Sequence, residues 1–200
     1  MLSNLKKTLP IKLIVVILLP FTTLSAKDNG IELDTVDSQV SSALLNHGIG
    51  SSSELIVLSS ETTGNVLSVS DEKNVTLKLV ELQGTVEIYR EWQKRNQQRV
   101  RIEEALNVTA NYLLLDATKI ATIFSSGQPA LDWDNFFQEF PTAPGILRLS
   151  RAGYDKDQSN ALIYIEYQCG IACGSGRFVH LKRTETLWEV HGSILVWMAY

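Results

Sequence analysis

From Gly145 to the C-terminus the sequence is strand-like almost throughout, and this stretch limits the available folds more than any other part of the chain. Residues 146–152, 161–168, 177–182 and 188–197 form four runs rich in β-branched, leucine and aromatic residues, separated by breaks of glycine and polar side chains. Such runs closed by turn formers specify strands. Joined by short connections, they predict an antiparallel meander of about four strands. A sheet of this kind buries an apolar face only if another layer lies on it.

The preceding residues supply that layer. Asp34 is placed to cap a helix over 35–46, in which Val36, Val40, Ala43 and Leu44 recur at helical spacing before Gly48 stops it. Residues 54–58 and 66–69 read as short edge strands. Leu79, Leu82, Val86, Tyr89 and Trp92 recur every three or four residues and predict one long helix ending at Asn96. From Leu106 to Leu114 the period falls to two, as in a half-buried strand. Asp116 caps a short helix holding Ile120, Ile123 and Phe124 and closed by Gly127. A second short helix sets Trp133, Phe136, Phe137 and Phe140 on one face before Pro141 ends it. The expectation is a single α+β domain of two layers, with the helices around Tyr89–Trp92 and Trp133–Phe140 covering the meander.

At the other end, residues 1–26 carry Lys6, Lys7 and Lys12, no acidic residue, an apolar run from Leu13 to Phe21, and the small pair Ser25–Ala26. This is the order of a secretory signal peptide. Pro20 interrupts the run, which is far shorter than the roughly 20 apolar residues of a membrane span. Cleavage is expected after Ala26, or after Ser25 because Leu24 is large for the third position back. The domain is then 27–200, long enough to bury about 70% of its unfolded surface around one core. Loss of three lysines leaves 15 Lys+Arg against 22 Asp+Glu, a net charge of −7. That balance excludes a basic nucleic-acid footprint, and no stable membrane span is expected after cleavage.

The string Trp133-Asp-Asn-Phe136-Phe137-Gln-Glu-Phe140-Pro141, followed by Gly145-Ile146, Ser150-Arg151-Ala-Gly153-Tyr154 and Ala161-Leu162-Ile163-Tyr164, resembles a pattern of uncharacterised exported bacterial proteins. The similarity continues through Cys169-Gly170, Gly174-Ser-Gly176 and Trp188-Glu-Val190, over roughly the second half of the chain. It implies a bacterial protein that is periplasmic or secreted. It implies no activity and no catalytic residue.

Read residue by residue, the chemistry-bearing groups have bland explanations beside the sharper ones. Cys169 and Cys173 lie on a glycine-rich connection between two strands, where an oxidising compartment favours a local disulfide; a redox dithiol would use two intervening residues and a helix. Asp155-Lys-Asp157-Gln-Ser159-Asn160 and Glu166 have the spacing of a calcium loop, but Asn160 stands where glycine is needed and strands flank it. A polar β-turn is expected, with weak calcium binding by Asp155 and Asp157 as the residual metal candidate. Gly174-Ser-Gly176 reads as a tight turn. Arg90, Lys94, Arg95, Arg99 and Arg101 read as a solvated helix end, or, more sharply, as a surface docking to anionic lipid. No cofactor motif is present, and no catalytic set stands out.

Two functional classes follow. The first is a non-catalytic binding or accessory protein of the envelope, recognising another protein or a small ligand. The second is an envelope hydrolase or redox factor with a site assembled from His180, Arg148, Arg151, Glu166 and the Cys169/Cys173 loop.

Overall fold

The structure, a computed structural model, describes residues 33–48, 55–64, 69–102 and 106–200. The expected leader, and residues 66–68 of an expected edge strand, lie outside these.

Helix α1 spans Thr35–Gly48, and Asp34 caps it by accepting the Asp37 amide at 2.9 Å. Strand β1 (Ile56–Ser59) precedes helices α2 (Val69–Glu81) and α3 (Val86–Arg95), then β2 (Tyr112–Leu115), α4 (Ala117–Ile123) and α5 (Pro129–Glu139). The remaining strands are β3 (Ile146–Leu149), β4 (Gly153–Tyr154), β5 (Asn160–Gly170), β6 (Cys173–Arg183) and β7 (Trp188–Ala199). They form one sheet of seven strands in the order β2-β1-β3-β5-β6-β7, with β4 paired on β5. β1 runs parallel to both β2 and β3, and along β3, β5, β6 and β7 each strand is antiparallel to its neighbour. Parallel neighbours need long crossovers, and the helical segments between β1, β2 and β3 provide them. Among the described residues no helix is long and apolar enough to cross a membrane.

The α+β class and the strands of the meander are found as expected. The count of about four strands is corrected to seven: β1 and β2 fall on the runs read as strands at 54–58 and 106–114 but join the meander in parallel across long crossovers, with β1 inside the sheet rather than at its edge, and the two-residue β4 adds the seventh. The cover also differs from the expected single layer. Along β5, Ala161, Ile163 and Ile165 pack with Val40, Leu44 and Leu45 of α1, whereas Leu162 and Tyr164 pack with Ile88, Tyr89 and Trp92 of α3. Adjacent strand residues point to opposite faces, so helices lie on both. Beside α3, a third cluster seats Phe136 on Val57 and Ile146. Trp133, Phe136 and Phe140 are thus core residues.

The long helix expected through Leu79 and Trp92 is two helices. Its period ran on because α2 and α3 pack into one cluster, with Leu82 between them. At the break Gln83 takes φ 60°, and a Cβ on Gly84 would meet Leu79 Cγ at 2.8 Å. The strand expected over 106–114 shrinks to β2. Leu106 and Val108 still face the core, but the backbone there is tied to α1: the Asn107 amide donates to Ser42 Oγ at 2.9 Å, and Asn46 Nδ2 donates to the Asn107 carbonyl at 2.8 Å. Gly174 and Gly176, expected in a turn, lie inside β6, where a Cβ on Gly176 would meet Trp197 Cδ1 at 2.7 Å.

Candidate functional site

The residues proposed for an assembled catalytic site fall into separate groups. Arg148 and Glu166 are cross-strand neighbours on β3 and β5, 3.3 Å apart, and Arg148 also donates to Gln168 Oε1 at 2.8 Å. This trio sits near the Cys169–Cys173 disulfide, which closes the β5–β6 hairpin with a Cα separation of 5.0 Å. His180 lies four residues along β6 from Gly176, the partner of Glu166, which is about 13 Å at strand rise. Arg151 follows β3 and points to the start of α1. Sequence reasoning paired these groups by type, whereas their register separates them.

The calcium candidates are engaged within their own turn. Asp155 accepts from the Ser159 amide and hydroxyl at 2.8 and 2.9 Å and from Asn160 Nδ2 at 2.6 Å. Burial opposes ionisation there, but the Asn160 and Ser159 donors prevail and hold the carboxyl below its ordinary value. Glu166 pairs across the strands with Arg148 on β3. Among the described residues no three or more His, Cys, Asp or Glu side chains are grouped to hold a metal ion.

The densest polar cluster was not legible in the sequence. Asp37, 1% exposed, accepts five hydrogen bonds: two from Arg95 Nη1 and Nη2 at 3.1 Å each, one from Arg151 Nε at 2.9 Å, one from the Ala152 amide at 3.1 Å and one from Tyr154 Oη at 2.8 Å. Asp34 receives both guanidiniums as well. Burial works against its charge, but the Asp37 amide, Arg95 and Arg151 outweigh it and keep its carboxyl below the usual range. Burial, and then Asp37, raise the Tyr154 phenol above its ordinary value, so it serves as a neutral donor. The spacing Asp34-x-x-Asp37 at a helix start was the available signal; its partners are 58 and more residues away. With every oxygen of Asp37 occupied, the cluster joins α1, α3 and the β3–β4 turn. Arg95, read as part of a solvated helix end or of a lipid-docking surface, is instead spent here.

His180 is fully buried. Asn160 Nδ2 donates to Asp155, so the Asn160 amide oxygen faces His180 Nε2 at 3.0 Å and Nε2 carries the proton. Nδ1 then has no hydrogen-bond partner among the described residues. Burial, then the neighbouring His191 and Lys182, lower the His180 pKa to about 4, against weaker support for the cation from the Leu82 backbone and Asp155. With the folded pKa below the unfolded 6.5, the unfolded chain takes up the proton first as pH falls. Stability from this group is therefore complete above pH 6.5 and declines towards pH 4. Between pH 7 and 4.5 the loss is about 2–3 kcal/mol, and His180→Leu is expected to remove that part of the pH dependence. Urea unfolding of both proteins at the two pH values measures it.

Two clefts lie open beside α1: one of about 790 Å³ between α1 and the start of β7, lined largely by polar side chains, and one of about 690 Å³ over the sheet, which has the more continuous apolar floor. The C-terminal end of α1 forms one wall of the second. Leu44, Leu147, Ile165, Val179 and Val190 make its apolar floor, and His47, Ser175, Arg177 and Ser193 stand around it. Cross-strand register sets the pattern: Arg177 is opposite Ile165, and Ser193 opposite Val179, so all four share one face. α1 shields the Ala161, Leu181 and Trp188 end of this face. Volume and lining are those of a small-molecule site, mostly apolar with a few polar groups at the edge.

No protein family, curated protein or solved structure matches this chain.

Proposed function

We propose that this protein is exported to the bacterial periplasm or beyond, as a member of an exported bacterial family, and acts there as a non-catalytic binding protein. Its ligand site is the cleft above β5, β6 and β7. The cleft carries this reading, because it offers an apolar floor with a sparse polar rim, while the candidate catalytic groups are engaged in separate pairs. The Cys169–Cys173 bridge supports export, since such bonds persist in oxidising compartments. The charged start, apolar run and small residues of 1–26 support it independently.

Two measurements test the reading. Protein recovered from the periplasm of an expressing bacterium is expected to begin at residue 27 or 26, with both cysteines closed to alkylation until reduced. Full-length protein with free thiols in the cytoplasmic fraction would overturn the export half. For the cleft, the neutral dye Nile red is expected to bind saturably at one site per chain. Ser193→Trp, on an exposed strand position at the rim, should block it with folding intact. Dye binding indifferent to that substitution would remove the cleft from consideration.

A further inference from the structure

We infer that the cleft takes a monomeric aliphatic carboxylate, with its headgroup anchored by Arg177 and its chain laid over the apolar floor. This rests on the cleft being the ligand site.

Arg177 differs from the ion-paired arginines around it, and from Arg183 at the far end of β6, which lies over the Trp188 ring. Arg95 and Arg151 are neutralised by Asp34 and Asp37, and Arg148 by Glu166. Arg177 is exposed, and its side-chain hydrogen bond goes to Ser175 Oγ at 3.4 Å; no described carboxylate pairs with it. The chain has 22 Asp+Glu against 18 Lys+Arg, yet none of the described residues lining this cleft is acidic. A guanidinium with no described counter-charge, set among apolar groups, is a carboxylate receptor in geometry and charge, because its planar fork donates to both oxygens. Ser175 Oγ adds a hydroxyl beside it, and His47 adds no negative charge to the rim.

The apolar groups fix the remainder of the ligand. Val179 and Ile165 lie next to Arg177 on the same face and lead to Val190 and Leu44. On the other side Leu195 and Met198, 42% and 43% exposed, stand opposite Arg177 and Ser175 and extend the greasy surface towards the free edge of β7. One fixed cation flanked by hydrocarbon suits a monoanion with an unbranched tail. A polyanion would lack further cations, and a neutral hydrocarbon would leave the guanidinium unused. The floor is recessed, with Leu44, Leu147, Ile165 and Val179 at 3–6% exposure. A chain reaches it only after leaving a bilayer, which favours the free amphiphile over a headgroup still in a membrane.

Calorimetric titration with dodecanoate below its micelle concentration tests this, with dodecanol and dodecyltrimethylammonium as controls. Dodecanoate is expected to bind at one site. Arg177→Gln should weaken it tenfold or more without altering the thermal midpoint or dodecanol binding, and Ser193→Trp should abolish both. Equal affinity for dodecanoate and dodecanol, or indifference to Arg177→Gln, would overturn the carboxylate assignment while the cleft itself survived. Failure of all three compounds together with Nile red would overturn the cleft. Co-flotation with phosphatidylglycerol vesicles that depends on Arg177, without binding of monomeric dodecanoate, would replace the free ligand with a membrane surface.

Discussion

Asp37→Ala is expected to lower the unfolding free energy by about 3–5 kcal/mol, the cost of removing one partner from a buried ion cluster. The substitution takes away five accepted hydrogen bonds at once. It leaves Arg95 and Arg151, whose side chains are only 13% and 17% exposed, with Asp34 as their one remaining carboxylate among the described residues. The penalty comes from stranded charge, so a variant that also removes both guanidiniums, Asp37→Ala with Arg95→Met and Arg151→Met, should recover part of it. Denaturant midpoints of the single and triple variants measure this. A single variant within 1 kcal/mol of the parent would mean that water reaches the guanidiniums, and the cluster would lose its role as a structural clasp.

Gly153→Ala is expected to cost a further few kcal/mol in its own right, about 3 kcal/mol or more, because its contacts are with backbone that cannot rotate away. A Cβ there would lie 2.7 Å from Trp92 Cα and closer still to the Trp92 nitrogen and the Ile88 carbonyl oxygen. To admit one methyl group, α3 must lift from the sheet. That disturbs Trp92, fully buried, whose indole donates to Ser150 Oγ at 2.8 Å and meets the Phe178 ring edge-on at 4.7 Å. The expected readout is a fall in unfolding midpoint accompanied by altered tryptophan fluorescence. Gly127→Ala serves as the contrast, since no atom lies within 4 Å of an added Cβ there and only its φ of 73° resists.

The C-terminal strands were legible because alternation over ten or so residues is a strong local signal, and Asp34 and Asp116 were legible as caps because capping is also local. β1 and β2 were legible as short apolar runs but not as neighbours of each other and of β3, since parallel pairing depends on crossovers whose return point no short window records. The break at Gly84 was hidden by Leu82, which keeps the apolar period across it. The candidate site was harder still. Arg177 and Ser193 look like ordinary polar positions of amphipathic strands, and their value comes only from the register that sets them beside Ile165 and Val179. Arg95 was misread for the complementary reason: its counter-charges lie 58 and 61 residues upstream.

That separation bears on how the chain reaches its native state. Asp37 emerges from the ribosome early, but Arg151 follows 114 residues later, and nothing nearer in sequence supplies its second guanidinium. Until then the acid has every reason to stay in water, and α1 gains little by docking. A partial chain, whether on the ribosome or threading a translocation channel, thus lacks the piece that would lock its amino-terminal half in place. Closure waits for the final strands, so a chain that crossed a membrane in extended form, as the proposed export requires, would stay slack for as long as transit lasted.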